Sequence, residues 1–359
     1  MKKVMLSLLI AAIALVGFAS VGRAQPALDP ELYIYNWDAY IDMEVVNRYE
    51  QEFGVRITYD TFASLEEMFA KIQAGAEYDV IFPSDWMVAR LIELDLLAKV
   101  DKANVPNISH IAQENLDAWY DPGAEYCIPY MWGTTGIAYL VTLDRVPEGW
   151  SALFDPEEAA YYAENGGINI LDDQREVISA ALKYLGYSIN ETDPKHLEEA
   201  RDVILNAKQY WRFWNSADYQ DTILISEEVV LSHSWDGSTV AAAIKTESEE
   251  FPQGKWKHIT PKEGGVRYQE SMCIPKTSPH KATAEHFINY LHNPENAAAN
   301  SNFTGYLSVN KDAAEFYIPE LQALLPSAED VARMEWMIPL DEETMRLWDQ
   351  IWTEIRAAG

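Results

Sequence analysis

Four short stretches of the chain place an aromatic ring next to a carboxylate, and three of them fall at the ends of predicted strands. They are Asn36-Trp37-Asp38-Ala39-Tyr40, Ser84-Asp85-Trp86, Trp235-Asp236-Gly237 and Tyr268-Gln269-Glu270. A fifth stretch, Asp172-Asp173-Gln174-Arg175-Glu176, adds acids at a predicted helix start. Alkyl ammonium groups suit such surroundings, because aromatic faces attract cations by about 0.5–2 kcal/mol and carboxylates accept their N–H bonds. The recurrence of the pattern favours a site for an organic cation.

The elements that must position these residues alternate between strands and helices. Strands are predicted at 32–36, 55–59 and 79–82, and helices at 42–52, 64–75 and 87–97. Such alternation is typical of a mostly parallel sheet covered by helices, with ligands bound outside the carboxyl ends of the strands. Trp37 and Ser84-Asp85-Trp86 follow two of these strands, so we expect them at one edge.

A second α/β segment follows a predicted crossing strand at 130–139. It contains helices at 173–185 and 194–209, a strand at 229–232, and a long strand at 266–274 that returns to the first segment. Asp173 and Glu176 have the spacing of a helix N-terminal capping box, which stabilises a helix without any ligand. Capping and ligand binding are compatible roles, and the sequence leaves both open.

The first residues predict export. Lys2 and Lys3 precede an apolar run at 4–19, and small residues follow, which is the pattern of a signal peptide spanning 1–24. The run is shorter than the roughly 20 residues that cross a bilayer, and no later segment is apolar enough to do so. We therefore expect a mature, periplasmic protein.

Charge and cysteine content narrow the class of function. The formal net charge is −30, from 57 acids against 27 bases, which disfavours nucleic acid and anionic lipid as partners. Cys127 and Cys273 each precede Ile-Pro, and they fit either a disulfide or two buried thiols. The histidines form no metal-binding motif, and the common nucleophile and nucleotide-binding motifs are missing from the sequence. We therefore expect no enzyme activity, no cofactor and no metal.

In combination and order, several motifs resemble the periplasmic spermidine/putrescine-binding proteins of polyamine ABC importers. The resemblance covers essentially the whole mature chain. The matching segments are 35–40, 78–84, 128–135, 172–177, 261–265, 288–291 with Pro294, and Gly305-Tyr306. It implies an α/β, two-lobed periplasmic binding protein fold of type II. Each lobe would be a mixed, mostly parallel sheet flanked by helices, with the ligand cleft between the lobes. The lobes would comprise 28–138 plus 271–310 and 139–270 plus 311–359.

The resemblance also implies a ligand-binding set and a function. The protein would capture spermidine or putrescine, act as a monomer and deliver the ligand to an ABC permease, although a sensing role is equally compatible. The implied ligand-binding residues are Trp37, Asp38, Tyr40, Ser84, Asp85, Trp86, Asp173, Glu176, Trp235, Tyr268, Glu270 and Tyr306.

Three positions depart from the family pattern and bear on the preferred polyamine. Ala39 stands where an acid is usual, Asp85 adds an acid at a usually uncharged position, and Met337 replaces a polar contact. Asp38 could stand in for the acid lost at Ala39. Extra acids in the first lobe favour a third amine and hence spermidine, whereas Met337 argues for putrescine.

Other ligands and an enzyme are the alternatives. A sugar site would need amides and arginines around its rings, an iron site would need converging tyrosines or histidines without tryptophan, and an amino acid would need a cation such as Arg175 for its carboxylate. An enzyme on the same scaffold would need a cysteine nucleophile or paired acids. Neither Cys127 nor Cys273 has a histidine nearby in the sequence.

Overall fold

The computed structural model describes residues 27–62 and 64–358, without the side chain of residue 66. The expected signal peptide at 1–24 lies outside the described residues. The strands are β1 (Glu31–Trp37), β2 (Arg56–Phe62), β3 (Val80–Ile81), β4 (Cys127–Leu140), β5 (Ile168–Ile170), β6 (Phe213–Trp214), β7 (Leu231–Trp235), β8 (Trp256–Ile259), β9 (Val266–Cys273), β10 (Leu307–Ser308) and β11 (Glu335–Trp336).

The helices lie between and after these strands. They are α1 (Met43–Phe53), α2 (Leu65–Gln73), α3 (Asp85–Glu93), α4 (Gln113–Leu116), α5 (Ser151–Phe154), α6 (Pro156–Glu164), α7 (Gln174–Leu185), α8 (Pro194–Ala207), α9 (Asp236–Lys245), α10 (Lys281–Leu291), α11 (Pro294–Thr304), α12 (Pro319–Gln322), α13 (Ala328–Arg333) and α14 (Glu342–Ala357). Short 3-10 helices cover Lys102–Asn104, Pro106–His110, Lys208–Tyr210 and Ala313–Phe316.

Local capping signals explain why the helices begin and end where they do. Asp42 accepts a hydrogen bond from the Glu44 amide at 2.9 Å before α1, and Gly54, with φ of 70°, ends that helix. Asp173 caps α7 in the same way, and Gly186 ends it with φ of 84°. Glycine is favoured at such left-handed positions because it has no Cβ. Both helices were predicted from these signals, and both predictions are confirmed.

The sheet is mixed, and it confirms the predicted α/β fold class. The strand order is β2-β1-β3-β9-β4-β7-β5-β6, with β8 and β10 also paired to β4 and β11 to β9. The pairs β1–β2, β1–β3, β5–β6 and β5–β7 are parallel, whereas β9 is antiparallel to both β3 and β4. The parallel groups thus lie on either side of the antiparallel pair β4–β9.

Strand β4 joins the two halves of the sheet. Its segment from Cys127 to Thr134 pairs with β9, and its segment from Thr135 to Leu140 pairs with β7 and β8. The change of partner falls at Thr134 and Thr135. Side chains at this point of β4 therefore face elements from both halves.

Separate apolar cores flank the two halves. Around β1, Ile34 packs with Tyr49 and Phe287 on one face, and Tyr35 packs with Met68 on the other. Successive strand residues point to opposite faces, so helices cover both sides of this half. The second half has a core of its own that contains three fully buried tryptophans, Trp150, Trp256 and Trp348.

A disulfide links β4 and β9. Cys127 lies directly opposite Cys273, with a Cα–Cα distance of 4.4 Å, and the two sulfurs are bonded. This short spacing is usual for directly opposed antiparallel residues that are not hydrogen-bonded to each other. The sequence left a disulfide and two thiols open, and the structure contains the disulfide.

Candidate ligand-binding site

Glu270 is a buried carboxylate held by hydroxyl groups from two distant segments. It lies in β9 and is 7% exposed. The Tyr40 hydroxyl donates to its Oε2 at 2.9 Å, and Ser84 Oγ donates to its Oε1 at 3.3 Å. Ser84 is the N-cap residue of α3, yet its hydroxyl makes no capping bond. The hydroxyl is therefore used to orient Glu270 and not to cap the helix.

Asp85 is a second buried acid beside Glu270. It is the first residue of α3 and is 2% exposed. Its Oδ1 accepts a hydrogen bond from the Trp86 amide at 2.6 Å, while its buried Oδ2 has no partner among the described residues. An unsatisfied buried carboxylate oxygen is costly and points to a donor that comes from outside the protein.

Glu176 is the equivalent acid in the second half. It is 6% exposed, and its Oε1 accepts hydrogen bonds from Trp235 Nε1 and Thr135 Oγ1, both at 3.1 Å. Its Oε2 is buried and has no partner among the described residues. Asp173 caps α7 through the Glu176 amide at 3.0 Å. The Glu176 carboxylate faces Thr135 and Trp235, so Asp173 supplies the cap while Glu176 presents a free oxygen.

Two tyrosines lie between these acids. The Tyr306 ring is 5.3 Å from the Tyr40 ring and 6.4 Å from the Tyr268 ring, measured between centroids. The Tyr268 hydroxyl donates to Asp236 Oδ1 at 3.3 Å, and Asp236 directly follows Trp235 in the chain. The rings of Tyr40, Tyr306 and Tyr268 therefore lead from the Glu270 group to Asp236, whose chain neighbour Trp235 bonds to Glu176.

Two glycines make room for these rings. A Cβ on Gly133 would lie 2.5 Å from the Tyr268 hydroxyl oxygen, and one on Gly237 would lie 2.4 Å from the Tyr306 ring. Neither glycine has a positive φ, so close approach of the rings, not backbone conformation, requires glycine at both positions.

Burial dominates the electrostatics of the site. Desolvation, with a smaller contribution from the charge of Asp85, raises the pKa of Glu270 to about 8, although the hydrogen bonds from Tyr40 and Ser84 oppose this shift. Desolvation also raises the pKa of Asp85 to about 7, opposed by the Trp86 amide and by Arg175. The pKa of Glu176 is raised by burial first and then by Asp173. The empty site therefore favours protonated acids, and a bound cation would reverse that preference.

The remaining predicted residues lie at the periphery of these groups. The Trp37 ring packs 4.5 Å from Phe62, and its indole N–H is buried without a partner among the described residues. Trp86 is half-buried against the apolar core on the Tyr35 face of β1. Asp38 is exposed. The structure thus brings together nine of the twelve predicted residues through the contacts above: Tyr40, Ser84, Asp85, Asp173, Glu176, Trp235, Tyr268, Glu270 and Tyr306.

Asp236 and Thr135 belong to the site but were not among the predicted residues. Asp236 accepts hydrogen bonds from the Thr134 amide and hydroxyl at 2.8 and 3.0 Å and from the Gly237 amide at 2.8 Å. Its position beside Trp235 in a quoted stretch was a usable signal. Thr135 gave no such signal, because its role depends on the change of partner along β4.

The described residues contain no group of three or more histidine, cysteine or acidic side chains that could hold a metal ion. Over the same residues, none of the helices is long and apolar enough to cross a membrane.

A two-lobed α/β fold with buried acids and aromatic rings near the crossing strands is the architecture of a solute-binding protein. The chain belongs to the bacterial extracellular solute-binding protein family, whose pattern matches residues 44–328. It is 35% identical over 350 residues to the putrescine/cadaverine-binding protein of Pseudomonas aeruginosa, covering 95% of this chain and 98% of that protein. It is 32% identical over 314 residues to the spermidine/putrescine-binding periplasmic protein of Escherichia coli, covering 85% and 86%.

A solved structure has the same fold. The spermidine/putrescine ABC transporter substrate-binding protein PotD of Streptococcus pneumoniae superposes with a TM-score of 0.81 at 31% identity, covering 92% of this chain and 99% of that one. The family resemblance and the two-lobed fold inferred from the sequence motifs are thereby confirmed.

Proposed function

We propose that the protein is a periplasmic solute-binding subunit that captures a polyamine between its lobes and delivers it to an ABC permease. The relatives named for putrescine and spermidine binding support this ligand class. The observation that carries the proposal is the pair of buried carboxylates, Glu270 and Glu176, each hydrogen-bonded to an aromatic side chain, Tyr40 and Trp235 respectively. The rings of Tyr306 and Tyr268 continue from Tyr40. Few solutes other than organic polycations would satisfy both ends.

The ligand would lie along the rings with an ammonium group at each end. One end would donate to the free Oε2 of Glu176, and the other would displace a proton at Glu270 and share its oxygens with Tyr40 and Ser84. The methylenes would pack on Trp235, Tyr268 and Tyr306, with Trp37 and Trp86 at the periphery. Asp38 would contribute only if its segment closes over the ligand.

The lobe boundaries we propose are 28–138 plus 271–310 and 139–270 plus 311–359. Two separate apolar cores, one containing Phe287 and the other containing Trp348, support this division. A cation bound by Glu176 and by Glu270, whose oxygens are held by Tyr40 and Ser84 of the first lobe, would contact both lobes. It would favour the closed state, since a ligand stabilises the conformation to which it binds more tightly. We propose that the protein acts as a monomer without enzyme activity or a cofactor, and that the permease binds this closed form.

Calorimetry on the mature protein tests the proposal. We expect putrescine, spermidine or both to bind with micromolar or tighter dissociation constants, and glucose and glutamate to give no heat at the same concentrations. Heat from the sugar or the amino acid, together with none from any polyamine, would overturn the proposed ligand class.

A further inference from the structure

The Asp85 carboxylate can accept more hydrogen bonds than the described residues donate to it. Its side chain is 98% shielded from solvent, its Oδ1 is bonded to the adjacent amide of Trp86, and its Oδ2 has no partner among the described residues. A buried carboxylate in this state requires a proton or a cation. Its position at the start of α3, where amide dipoles favour a negative charge, supports the ionised form once a cation is present.

The positive charge of Arg175 favours ionisation of Asp85, but its guanidinium group contacts other residues. Its charge and that of Asp85 influence each other, and the described residues show no hydrogen bond between the two. The Arg175 Nη2 instead donates to Asn190 Oδ1 at 3.1 Å, and the guanidinium lies 4.9 Å from the Trp348 ring centroid. Arg175 therefore lowers the cost of a negative charge at Asp85 without occupying its free oxygen.

The acids of the site exceed what a diamine can neutralise. If ionised, Asp173, Glu176, Asp236, Glu270 and Asp85 would set five carboxylates against the one guanidinium of Arg175, leaving four negative charges. Asp236 already accepts hydrogen bonds from Thr134, Gly237 and Tyr268. Glu176 and Glu270 suffice for the two ends of a diamine. Asp85 remains. It directly follows Ser84, whose backbone pairs with that of Glu270 and whose hydroxyl lies 3.3 Å from the Glu270 carboxylate, so the two acids can accept neighbouring amines of one ligand.

We propose that Asp85 binds an additional ammonium group and thereby makes the site prefer a triamine of the spermidine class over a diamine. This inference rests on the proposed function. A triamine places two amines, separated by a short methylene linker, at the end of the site where Glu270 and Asp85 each accept one. A diamine leaves Asp85 to be satisfied by a proton, so its binding depends little on the charge at that position.

A calorimetric comparison of Asp85→Asn with the unaltered protein tests the assignment. We expect spermidine to bind the unaltered protein more tightly than putrescine. Asp85→Asn should weaken spermidine binding by about 30-fold or more, as expected for removing one partner of a buried charge pair, and putrescine binding by less than about threefold. Asparagine has nearly the shape of a protonated aspartate, so the fold should be retained, which thermal unfolding checks.

Asp121→Asn is a matched control in the same lobe. Asp121 is also buried, but amides of Glu125, Tyr126 and Cys127 already satisfy it at 2.9–3.0 Å. Its neutralisation should leave the spermidine-to-putrescine ratio unchanged. An equal effect of Asp85→Asn on both ligands, or none on either, would overturn the role of Asp85 while polyamine binding stands. Absence of polyamine binding to the unaltered protein would instead refute the proposed function itself.

Discussion

Trp235 Nε1 donates a hydrogen bond to Glu176 Oε1 at 3.1 Å, so one side chain supplies a ring face and also orients an acid. The bond occupies one carboxylate oxygen and leaves Oε2 free within the buried site. Thr135 donates to the same oxygen, so both hydrogen bonds fall on Oε1 and neither on Oε2. The direction in which Glu176 can accept an ammonium group is therefore fixed before a ligand arrives.

Replacing Trp235 with phenylalanine should separate the two roles of the side chain. The variant keeps a ring but loses the N–H donor, so we expect polyamine affinity to fall by about 1.5–3 kcal/mol, the usual contribution of a hydrogen bond to a charged group. Calorimetry measures the change. Trp211→Phe is a suitable control, because Trp211 Nε1 donates to the Leu153 carbonyl in the same half of the sheet. An equal loss in both variants would argue against a specific role for the Trp235–Glu176 bond.

Glu270→Gln should weaken polyamine binding by about 2–5 kcal/mol, since it removes one charge of a buried ion pair. Glutamine can accept a hydrogen bond from one of the Tyr40 and Ser84 hydroxyls and donate one to the other, so the fold should be maintained. Titration calorimetry gives the loss of affinity. Glu227→Gln removes an exposed acid that pairs with Lys255 and should have little effect. If both variants lose affinity equally, the long-range charge of the protein governs binding, not a local site.

The buried acids predict opposite pH trends for stability and for binding. Burial raises the pKa of Glu270 from 4.5 to about 8, so the folded state holds this proton more tightly than the unfolded state. The stability from Glu270 is fully present below about pH 4.5 and is lost as the pH rises through about 8. Affinity for a cation should increase over the same range, because binding needs the ionised carboxylate.

Thermal unfolding of the ligand-free protein between pH 5 and pH 8 checks the first trend. The stability of the unaltered protein should decline relative to Glu270→Gln as the pH rises, since glutamine does not titrate. Parallel curves for the two proteins would show that the pKa of Glu270 is not raised on folding.

Gly237→Ala should impair binding by displacing Tyr306. The added Cβ would lie 2.4–2.6 Å from three carbons of the Tyr306 ring, and such overpacking costs about 1–3 kcal/mol. Alanine would otherwise favour a helix over glycine by about 1 kcal/mol, so the net stability change should be small. Equilibrium binding and thermal unfolding report the two effects separately. Unchanged affinity would show that the Tyr306 ring does not contact the ligand.

Loss of the disulfide should destabilise the protein substantially. The bond closes a loop with a sequence separation of 146 residues, for which chain entropy predicts about 5 kcal/mol, although measured values are typically about 2–4. Cys127→Ala with Cys273→Ala should lower the unfolding free energy by about 2–5 kcal/mol in urea titrations. Reductant should destabilise the unaltered protein and leave the double variant unaffected. Equal urea midpoints for the two proteins would contradict the prediction.

Sequence reasoning succeeded where the determining interactions are local. The limits of α1 and α7 follow from Asp42, Gly54, Asp173 and Gly186, whose effects extend over one helical turn. The start of α3 was predicted near residue 87, whereas the helix begins at Asp85. Ser84 is the N-cap residue of α3, although its hydroxyl bonds to Glu270 and not to the helix.

Contacts between distant segments could not be predicted from local patterns. Tyr40 and Glu270 are 230 residues apart in the chain. They meet because Tyr40 follows β1, and the strand order β1-β3-β9 places β1 two strands away from the strand that contains Glu270. The pattern of rings beside carboxylates singled out both stretches, and the family resemblance assigned both residues to one cleft, but neither predicted their direct contact. The pairing of Cys127 with Cys273 stayed open for the same reason, since two Ile-Pro contexts do not reveal which strands are neighbours.

Whether Cys127 and Cys273 are bonded in a given molecule depends on the redox conditions under which that molecule folded. The two sulfurs belong to fully buried residues, so a chain that folds in a reducing cytosol would enclose two thiols that later oxidants reach only through unfolding. For the same residues without the signal peptide, chains folded after export should therefore be lighter by two hydrogen atoms than chains folded inside the cell. The mass of the intact protein distinguishes these two histories, and preparations made by the two routes are different chemical species.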